Sequence, residues 1–304
     1  MQQITDTVLM IRPSNFRSNE ETAVNNHFQN KGKEINTNAL AQQEFDHFVK
    51  VLRENEVEVI VIENNGEENT PDALFPNNWI SFHEGGQIVT YPMFAENRRR
   101  ERNLNILKNK AFKTTYEWTV QDFTAFEQQG EILEGTGSMI LDRINKKAYC
   151  SLSQRSSEKV LKEFCHLFSY TPLVFTAYHS IQDQRRPIYH TNVMLSIGED
   201  FAIICESSID NKEEARNVLE SLKKDGKEII LISEEQVNLF AGNMLQIKNK
   251  KNERILIMSQ TARNSLNDDQ VRKLENQNKL VPVPLNTIEY YGGGSARCML
   301  AEVF

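Results

Sequence analysis

The sequence predicts a mixed α/β fold in which five ββαβ-like units surround a common pseudo-fivefold axis. Three observations support this prediction: amphipathic helical stretches recur, each leads into a short apolar strand, and polar clusters run directly into apolar strands at five places. These polar-to-apolar junctions recur at intervals of roughly 50–60 residues, a range in which self-similarity indicates a propeller or an array. We expect the 304 residues to form a single domain, 1–304.

The helix-then-strand order is visible along the whole chain. A spacing of i, i+3, i+4 and i+7 marks one helical face in Phe45, Phe48, Val49 and Leu52. Further helices are predicted near residues 160–164, 215–222 and 270–276. The strands that follow these helices are predicted at 57–62, 173–176, 229–232 and 280–284. The N-terminal segment is typical of a strand that ends at Arg12.

The five junctions begin at Pro76, Gly135, His190, Gly242 and Ala296. If each apolar strand packs around the axis, its polar leading end opens at one mouth of the ring, and the side chains there converge. A simpler interpretation stays open, because any α/β protein has buried strands that follow Gly or Asn turns.

Composition and charge exclude several function classes. The net charge of −7 argues against general nucleic-acid binding, which needs clustered cations. No apolar run approaches the length of a membrane helix. The four cysteines form no CxxC or CxxH pair, so we expect no metal site and no disulfide scaffold, and a reducing cytoplasm is the natural setting. No phosphate-binding or dinucleotide fingerprint appears, and no cofactor is expected.

Three reactive side chains are predicted to lie together at the mouth of the ring: the thiol of Cys298, the imidazole of His190 and the carboxylate of Glu134. This set suits covalent catalysis by a cysteine nucleophile with a proton-shuttling histidine. Three glycines precede Cys298 and permit a close backbone approach. The alternative is that Cys298 is a small buried hydrophobe. We expect the remaining cysteines to be structural: Cys150, Cys165 and Cys205.

Other polar residues near the junctions are candidate substrate contacts: Asp72, Asn78, Asn192, Arg98 and Arg297. Arg98 opens a run of three arginines that would clamp a substrate carboxylate through bidentate bonds, although such a run is usually a solvated helix start. If Arg297 points inward, its charge would raise the thiolate fraction of Cys298.

Several motifs, in this order and spacing, resemble the pentein or guanidine-modifying superfamily, which includes arginine deiminase, dimethylarginine dimethylaminohydrolase and the amidinotransferases. They are Arg12-Pro13, Met93 through Glu101, Leu133-Glu134-Gly135, His190, and Gly292-Gly293-Gly294 through Cys298-Met299. Within the superfamily, Asp72 through Trp79 is similar to the citrulline-utilisation hydrolases. The resemblance implies a five-bladed α/β propeller and a covalent Cys298 adduct. It also implies that His190 protonates the leaving amine and then activates water, while Glu134 orients His190 and holds the substrate nitrogens.

Three positions depart from the deiminase pattern. Asn78 and Asn192 stand where aspartates are usual, and Gly137 stands where a second acid is expected. Amides both donate and accept hydrogen bonds, so they match a neutral ureido group better than a guanidinium. We therefore hypothesise hydrolysis of a small guanidino or ureido amino acid (citrulline, arginine or a substituted arginine), with citrulline or a substituted relative favoured over free arginine.

Two alternatives stay open. An amidinotransferase would use the same covalent step and pass the group to an amine, and a catalytically silent binding protein would use only the fold. The sequence also leaves the oligomeric state open, with a homodimer as one option.

Overall fold

The computed structural model describes residues 2–30, 36–64, 66, 68–112, 117–181 and 184–304. Its strands are β1 (Thr7–Arg12), β2 (Glu58–Glu63), β3 (Ile80–His83), β4 (Gln87–Thr90), β5 (Thr119–Asp122), β6 (Met139–Asp142), β7 (Lys147–Ser151), β8 (Thr171–Phe175), β9 (Tyr178–Ile181), β10 (Gln184–Pro187), β11 (Leu195–Ile197), β12 (Phe201–Ile204), β13 (Glu228–Leu231), β14 (Leu245–Lys248), β15 (Arg254–Ser259), β16 (Lys279–Val283) and β17 (Ala301–Val303). Its helices are α1 (Thr37–Glu54), α2 (Glu96–Arg99), α3 (Gly135–Ser138), α4 (Glu158–Phe168), α5 (Lys212–Lys224), α6 (Glu234–Asn238), α7 (Gln260–Ser265), α8 (Asp268–Glu275) and α9 (Asn286–Gly292).

Within these described ranges the strands form five three-stranded sheets with one shared topology and a separate β9–β10 hairpin. In each sheet the middle strand pairs antiparallel with a first strand and parallel with a third. The sheets are β17-β1-β2, β3-β4-β5, β6-β7-β8, β11-β12-β13 and β14-β15-β16. Helical segments connect the middle strand to the third, as a parallel pairing requires. The predicted mixed α/β class is confirmed.

Four helices form where the sequence spacing predicted them: α1, α4, α5 and α8. The buried face of α1 includes Phe45, Phe48, Val49 and Leu52, and it packs on the β1–β2 sheet. Asn267 caps the N-terminus of α8 through its side chain, with Gln270 completing the capping box. Helix α9 was not predicted, because Asn286–Gly292 lacks a clear apolar period. No helix in the described part of the chain combines the length and apolar character needed to span a bilayer.

A short helical turn stands in front of the first strand of four sheets, where the sequence predicted only a polar cluster. The turns are Pro76–Asn78, Gly135–Ser138, Thr191–Val193 and Ala296–Met299. Cys298 therefore lies in a 3-10 turn that precedes β17, and not at the start of the strand itself. Such a turn directs consecutive side chains around its axis, so one residue of each turn can face a common point.

Two junction glycines show that neighbouring turns touch through their backbones. A Cβ on Gly135 would lie 2.3 Å from the carbonyl oxygen of Asn77, and a Cβ on Gly242 would lie 2.3 Å from that of Val193. Gly135 also has a φ of 47°, which a residue with a side chain rarely adopts. Only glycine fits these contacts, and they bring the polar ends of the sheets together.

Candidate active site

A small cavity of about 20 Å³ lies where these turns meet. This volume suits about one water molecule, so a larger substrate would have to displace the side chains that close it. The polar side chains that line it include Asp72, Asn78, Arg98, Arg155, His190 and Cys298. The other five residues are each separated by more than 90 residues from Cys298, and the turns in front of the sheets bring them together.

Glu134 and His190 form a buried pair at the edge of the cavity. The Oε2 atom of Glu134 lies 2.7 Å from Nε2 of His190, and both side chains are almost fully enclosed. The second carboxylate oxygen of Glu134 accepts a hydrogen bond of 3.0 Å from the backbone N–H of Phe94. Because a carboxylate only accepts, Nε2 of His190 carries the proton and Nδ1 has a free lone pair.

Two arginines keep Glu134 ionised. Burial alone would raise the pKa of Glu134, but the charge of Arg155, the hydrogen bond from His190 and the charge of Arg98 outweigh it. Nη1 of Arg155 lies 3.5 Å from Oε2 of Glu134, and Nη1 of Arg98 lies 3.8 Å from the same atom. The pKa of Glu134 therefore lies far below its usual value, and the group is a permanent anion.

The same surroundings keep His190 neutral. Burial lowers the pKa of His190 to about 4, and the attraction of Glu134 only partly opposes this effect because Arg155 and Arg98 act in the other direction. A neutral imidazole with a free Nδ1 can accept a proton from a neighbouring acid.

Cys298 is buried, and amide groups surround its sulfur. Nδ2 of Asn243 lies 3.2 Å from Sγ, and Nδ2 of Asn192 lies 3.4 Å from it. The guanidinium of Arg297 points away from the cavity, since it donates to the carbonyl of Leu300 and to Glu302. The expected inward orientation of Arg297 is therefore not what the structure shows, and the buried Glu302 explains why.

The glycine segment before Cys298 forms one wall of the cavity. A Cβ on Gly294 would lie 2.8 Å from the ring of Phe75. Gly293 has a φ of 61° at the end of α9, and its carbonyl accepts a hydrogen bond of 2.8 Å from the hydroxyl of Tyr189. The close backbone approach predicted for these glycines is present, and here the groups they approach belong to the protein.

Arg98 is buried and bonded to the protein. Its Nε and Nη2 groups each donate to one oxygen of Glu101 over 3.0 Å, and Nη1 donates to Oδ1 of Asn78 over 2.8 Å. The bidentate partner of Arg98 is thus Glu101, whose pKa burial raises to about 7 despite the charge of Arg98. The arginine run is not a solvated helix start at this position.

Asp72 reaches the cavity with one oxygen committed and one free. Oδ2 accepts from Asn19 over 2.7 Å and from Thr22 over 3.1 Å, whereas the buried Oδ1 has no hydrogen-bond partner among the described residues. Burial raises the pKa of Asp72, and the charge of Arg98 opposes this rise.

Gly137 occupies the position where a second acid was expected. A Cβ there would lie 2.3 Å from Nδ2 of Asn78 and 2.9 Å from Nδ1 of His190. Both atoms therefore flank Gly137 directly, and the site has no room for a side chain at this position.

The structure brings together most of the residues that the sequence singled out, and it adds Arg155. Arg155 follows β7 in a loop and is buried over the ring of Tyr189, a position that no junction or periodic pattern marks. Asn243 stands at the fourth junction, so the spacing already indicated its place although not its contact with sulfur. His179, in contrast to His190, lies within β9 and stacks on Phe28 outside the cavity.

The family described as N,N dimethylarginine dimethylhydrolase, eukaryotic, matches residues 12–304. Among curated proteins, none matches the sequence significantly.

Solved structures with low sequence identity share the fold. The amino-terminal domain of ArgZ, an arginine dihydrolase from Cyanobacteria, covalently bound to a reaction intermediate, has a TM-score of 0.72 and 17% identity, with 98% of this chain and 97% of that domain covered. Unliganded AgrE has a TM-score of 0.75 and 17% identity, with 98% and 39% covered. The adduct of dimethylarginine dimethylaminohydrolase with S-methyl-L-thiocitrulline has a TM-score of 0.66 and 13% identity, with 98% and 99% covered. The chain thus spans 39% of full-length ArgZ.

Proposed function

The chain belongs to the N,N-dimethylarginine dimethylhydrolase family, and from this premise we propose that it is a cysteine-dependent hydrolase of guanidino-type C–N bonds whose own substrate is a ureido amino acid of the citrulline class. The membership confirms the resemblance to the guanidine-modifying superfamily that the motifs indicated. The orientation of the Asn78 amide carries the choice of substrate.

Arg98 determines which end of Asn78 faces the cavity. A guanidinium can only donate hydrogen bonds, so the oxygen of Asn78 must face Nη1 of Arg98 and the amide nitrogen must face the cavity. That nitrogen is buried and has no partner among the described groups. A ureido oxygen would accept from it, whereas a substrate guanidinium brings only further donors. The neutral substrate therefore fits the cavity better than the cationic one.

The first half of the reaction forms a covalent adduct. The thiol of Cys298 gives its proton to Nδ1 of His190, and the thiolate attacks the ureido carbon, so that a C–S bond forms and the C=O electrons move to oxygen. The N–H of Asn78 faces this oxyanion. The bond to the side-chain nitrogen then breaks as His190 returns the proton to that nitrogen. A primary amine leaves, and an S-carbamoyl group remains on Cys298.

The second half regenerates the enzyme. His190 removes a proton from water, and the hydroxide adds to the carbamoyl carbon. The C–S bond breaks, the proton on His190 returns to the sulfur, and the released carbamic acid decomposes to ammonia and carbon dioxide. Hydrolysis, rather than transfer to an acceptor amine, agrees with the family to which the chain belongs.

The remaining groups have supporting roles in this proposal. Glu134 holds the His190 tautomer and stabilises the imidazolium as it forms. Asp72 offers its free oxygen to a substrate amine or ammonium group. Arg98 acts through Asn78, and Arg297 acts in packing since its guanidinium is bonded to Glu302.

We also propose that the five sheets close into a ring, as the superfamily resemblance implies. Three pairs of first strands from different sheets are in contact: β17 with β3, β6 with β11, and β11 with β14. Such a ring would place all five polar junctions at one mouth, around Cys298.

A substrate comparison tests the proposed function. Purified protein would be incubated separately with citrulline, arginine and dimethylarginine, with and without an acceptor amine, and the released amine and the mass of the Cys298 peptide would be measured. We expect amine release from citrulline, a peptide heavier by one carbamoyl group, no transfer to the acceptor, and no reaction in Cys298→Ala. Turnover of arginine without turnover of citrulline would overturn the substrate, and activity in Cys298→Ala would overturn the mechanism.

A further inference from the structure

We propose that Asn243 is a catalytic residue whose side-chain N–H holds the thiolate of Cys298. This inference rests on the proposed role of Cys298 as the nucleophile. It does not depend on which substrate the enzyme uses.

The orientation of the Asn243 amide follows from backbone groups of fixed chemistry. Its Oδ1 accepts a hydrogen bond of 3.1 Å from the backbone N–H of Arg297, and its Nδ2 donates over 3.0 Å to the carbonyl of Asn192. A backbone N–H only donates and a carbonyl only accepts, so the amide cannot be turned around. The second hydrogen of Nδ2 therefore points at Sγ of Cys298, 3.2 Å away.

Asn192 supplies a second, less constrained donor to the same sulfur. Its Nδ2 lies 3.4 Å from Sγ, but its Oδ1 has no partner among the described groups. Both asparagines are completely buried, but in Asn243 the amide oxygen as well as the amide nitrogen is hydrogen-bonded. Asn243 is therefore the residue that fixes the position of the sulfur.

Amide N–H donors stabilise the thiolate of a buried cysteine. The thiolate is the nucleophilic form, and burial disfavours any charged form unless hydrogen bonds compensate. The guanidinium of Arg297 is committed to Glu302, so the hydrogen bonds to the sulfur come from neutral amides. The protein must then stabilise the thiolate itself.

Alkylation without substrate tests this inference separately from the proposed function. The rate of iodoacetamide labelling of Cys298 would be measured against pH by peptide mass spectrometry in the native protein, in Asn243→Ala and in Asn243→Asp. We expect the alkylation midpoint to rise by about one pH unit in Asn243→Ala, which is a tenfold loss of thiolate at neutral pH. Asn243→Asp keeps the acceptor for Arg297 but removes both N–H donors, so its midpoint should rise at least as far.

Asn278→Ala is the matched control, because it removes a buried asparagine with two hydrogen bonds, to Leu274 and Gln246, that does not touch Cys298. Its midpoint should equal that of the native protein. An unchanged midpoint in the Asn243 variants would overturn the inference, even if their activity fell. If either Asn243→Ala or Asn243→Asp fails to fold, the alkylation midpoint of the other variant tests the inference. A raised midpoint with no citrulline turnover would support the role of Asn243 and reject only the substrate.

Discussion

The Nη1 group of Arg98 donates a hydrogen bond of 2.8 Å to Oδ1 of Asn78, and this contact determines what the cavity presents to a substrate. Because the oxygen of Asn78 accepts this bond, the amide nitrogen of Asn78 points the other way, toward Gly137 and His190. Both residues line the cavity, and under the proposed function the unpartnered amide nitrogen of Asn78 sets the specificity.

Asn78→Asp should reverse the substrate preference. The carboxylate would still accept from Arg98, but it would present a second acceptor to the cavity in place of the N–H donor. We expect kcat/KM for citrulline to fall by on the order of 100-fold, because the ureido oxygen would face an acceptor, while that for arginine rises. Steady-state kinetics with both substrates measure the ratio.

Asn78→Ala distinguishes a reversed substrate preference from a general loss of activity. It removes donor and acceptor together, so turnover of both substrates should fall. If Asn78→Asp lowers citrulline turnover without any gain with arginine, the amide is not the selective element.

Arg98→Lys should weaken both rate and selectivity. Lysine cannot form the two parallel bonds to Glu101 and also hold Asn78, so the amide becomes free to rotate. We expect kcat/KM for citrulline to fall by roughly 10- to 100-fold and the preference over arginine to shrink. Arg185→Lys, at an exposed ion-paired arginine, is the matched control and should leave both values unchanged. A lower rate with an intact preference would contradict a role of Arg98 in positioning Asn78.

Much of the fold follows from local patterns in the sequence. The apolar spacing of Phe45, Phe48, Val49 and Leu52 predicted α1, whose buried face contains all four residues. The junction spacing predicted where the first strands begin, since Gly or Asn turns in front of apolar runs are local features. The helical turns at these junctions were not predicted, because three- or four-residue segments such as Pro76–Asn78 carry no period.

The sequence predicted the site residues that stand at junctions. It did not predict side-chain directions and partners that depend on long-range contacts. His190 and Cys298 reach one cavity as the junction argument requires. The direction of Arg297 depends on Glu302, and the partner of Arg98 depends on the depth at which Glu101 is buried. Arg155 stands in a loop with no pattern, so only its bonds to Thr22 and Asn25 in the folded chain reveal it.

Gly137→Ala should strongly lower activity while the protein still folds. Its Cβ would displace Nδ2 of Asn78 and Nδ1 of His190, which are the ends of two side chains and can move. We expect at least a roughly 100-fold loss of kcat, because a misplacement of about 1 Å in a reacting group has that effect. Gly85→Asn is the control, since no atom lies within 4 Å of a Cβ there and asparagine tolerates its positive φ. Circular dichroism checks the fold, and an active Gly137→Ala would mean that neither side chain is in its working position.

The buried neutral His190 should make stability fall on acidification. Its pKa is lowered by burial from 6.5 to about 4, so between these values the unfolded chain binds a proton that the folded protein does not. The stabilising difference is complete above pH 6.5 and is lost as the pH falls toward 4, at up to about 1.4 kcal/mol per pH unit. His190→Gln keeps an N–H donor for Glu134 but cannot titrate. Urea unfolding at several pH values in this range should therefore show a shallower loss of stability in His190→Gln than in the native protein. Equal slopes would show that burial does not lower the pKa of His190 in the folded protein.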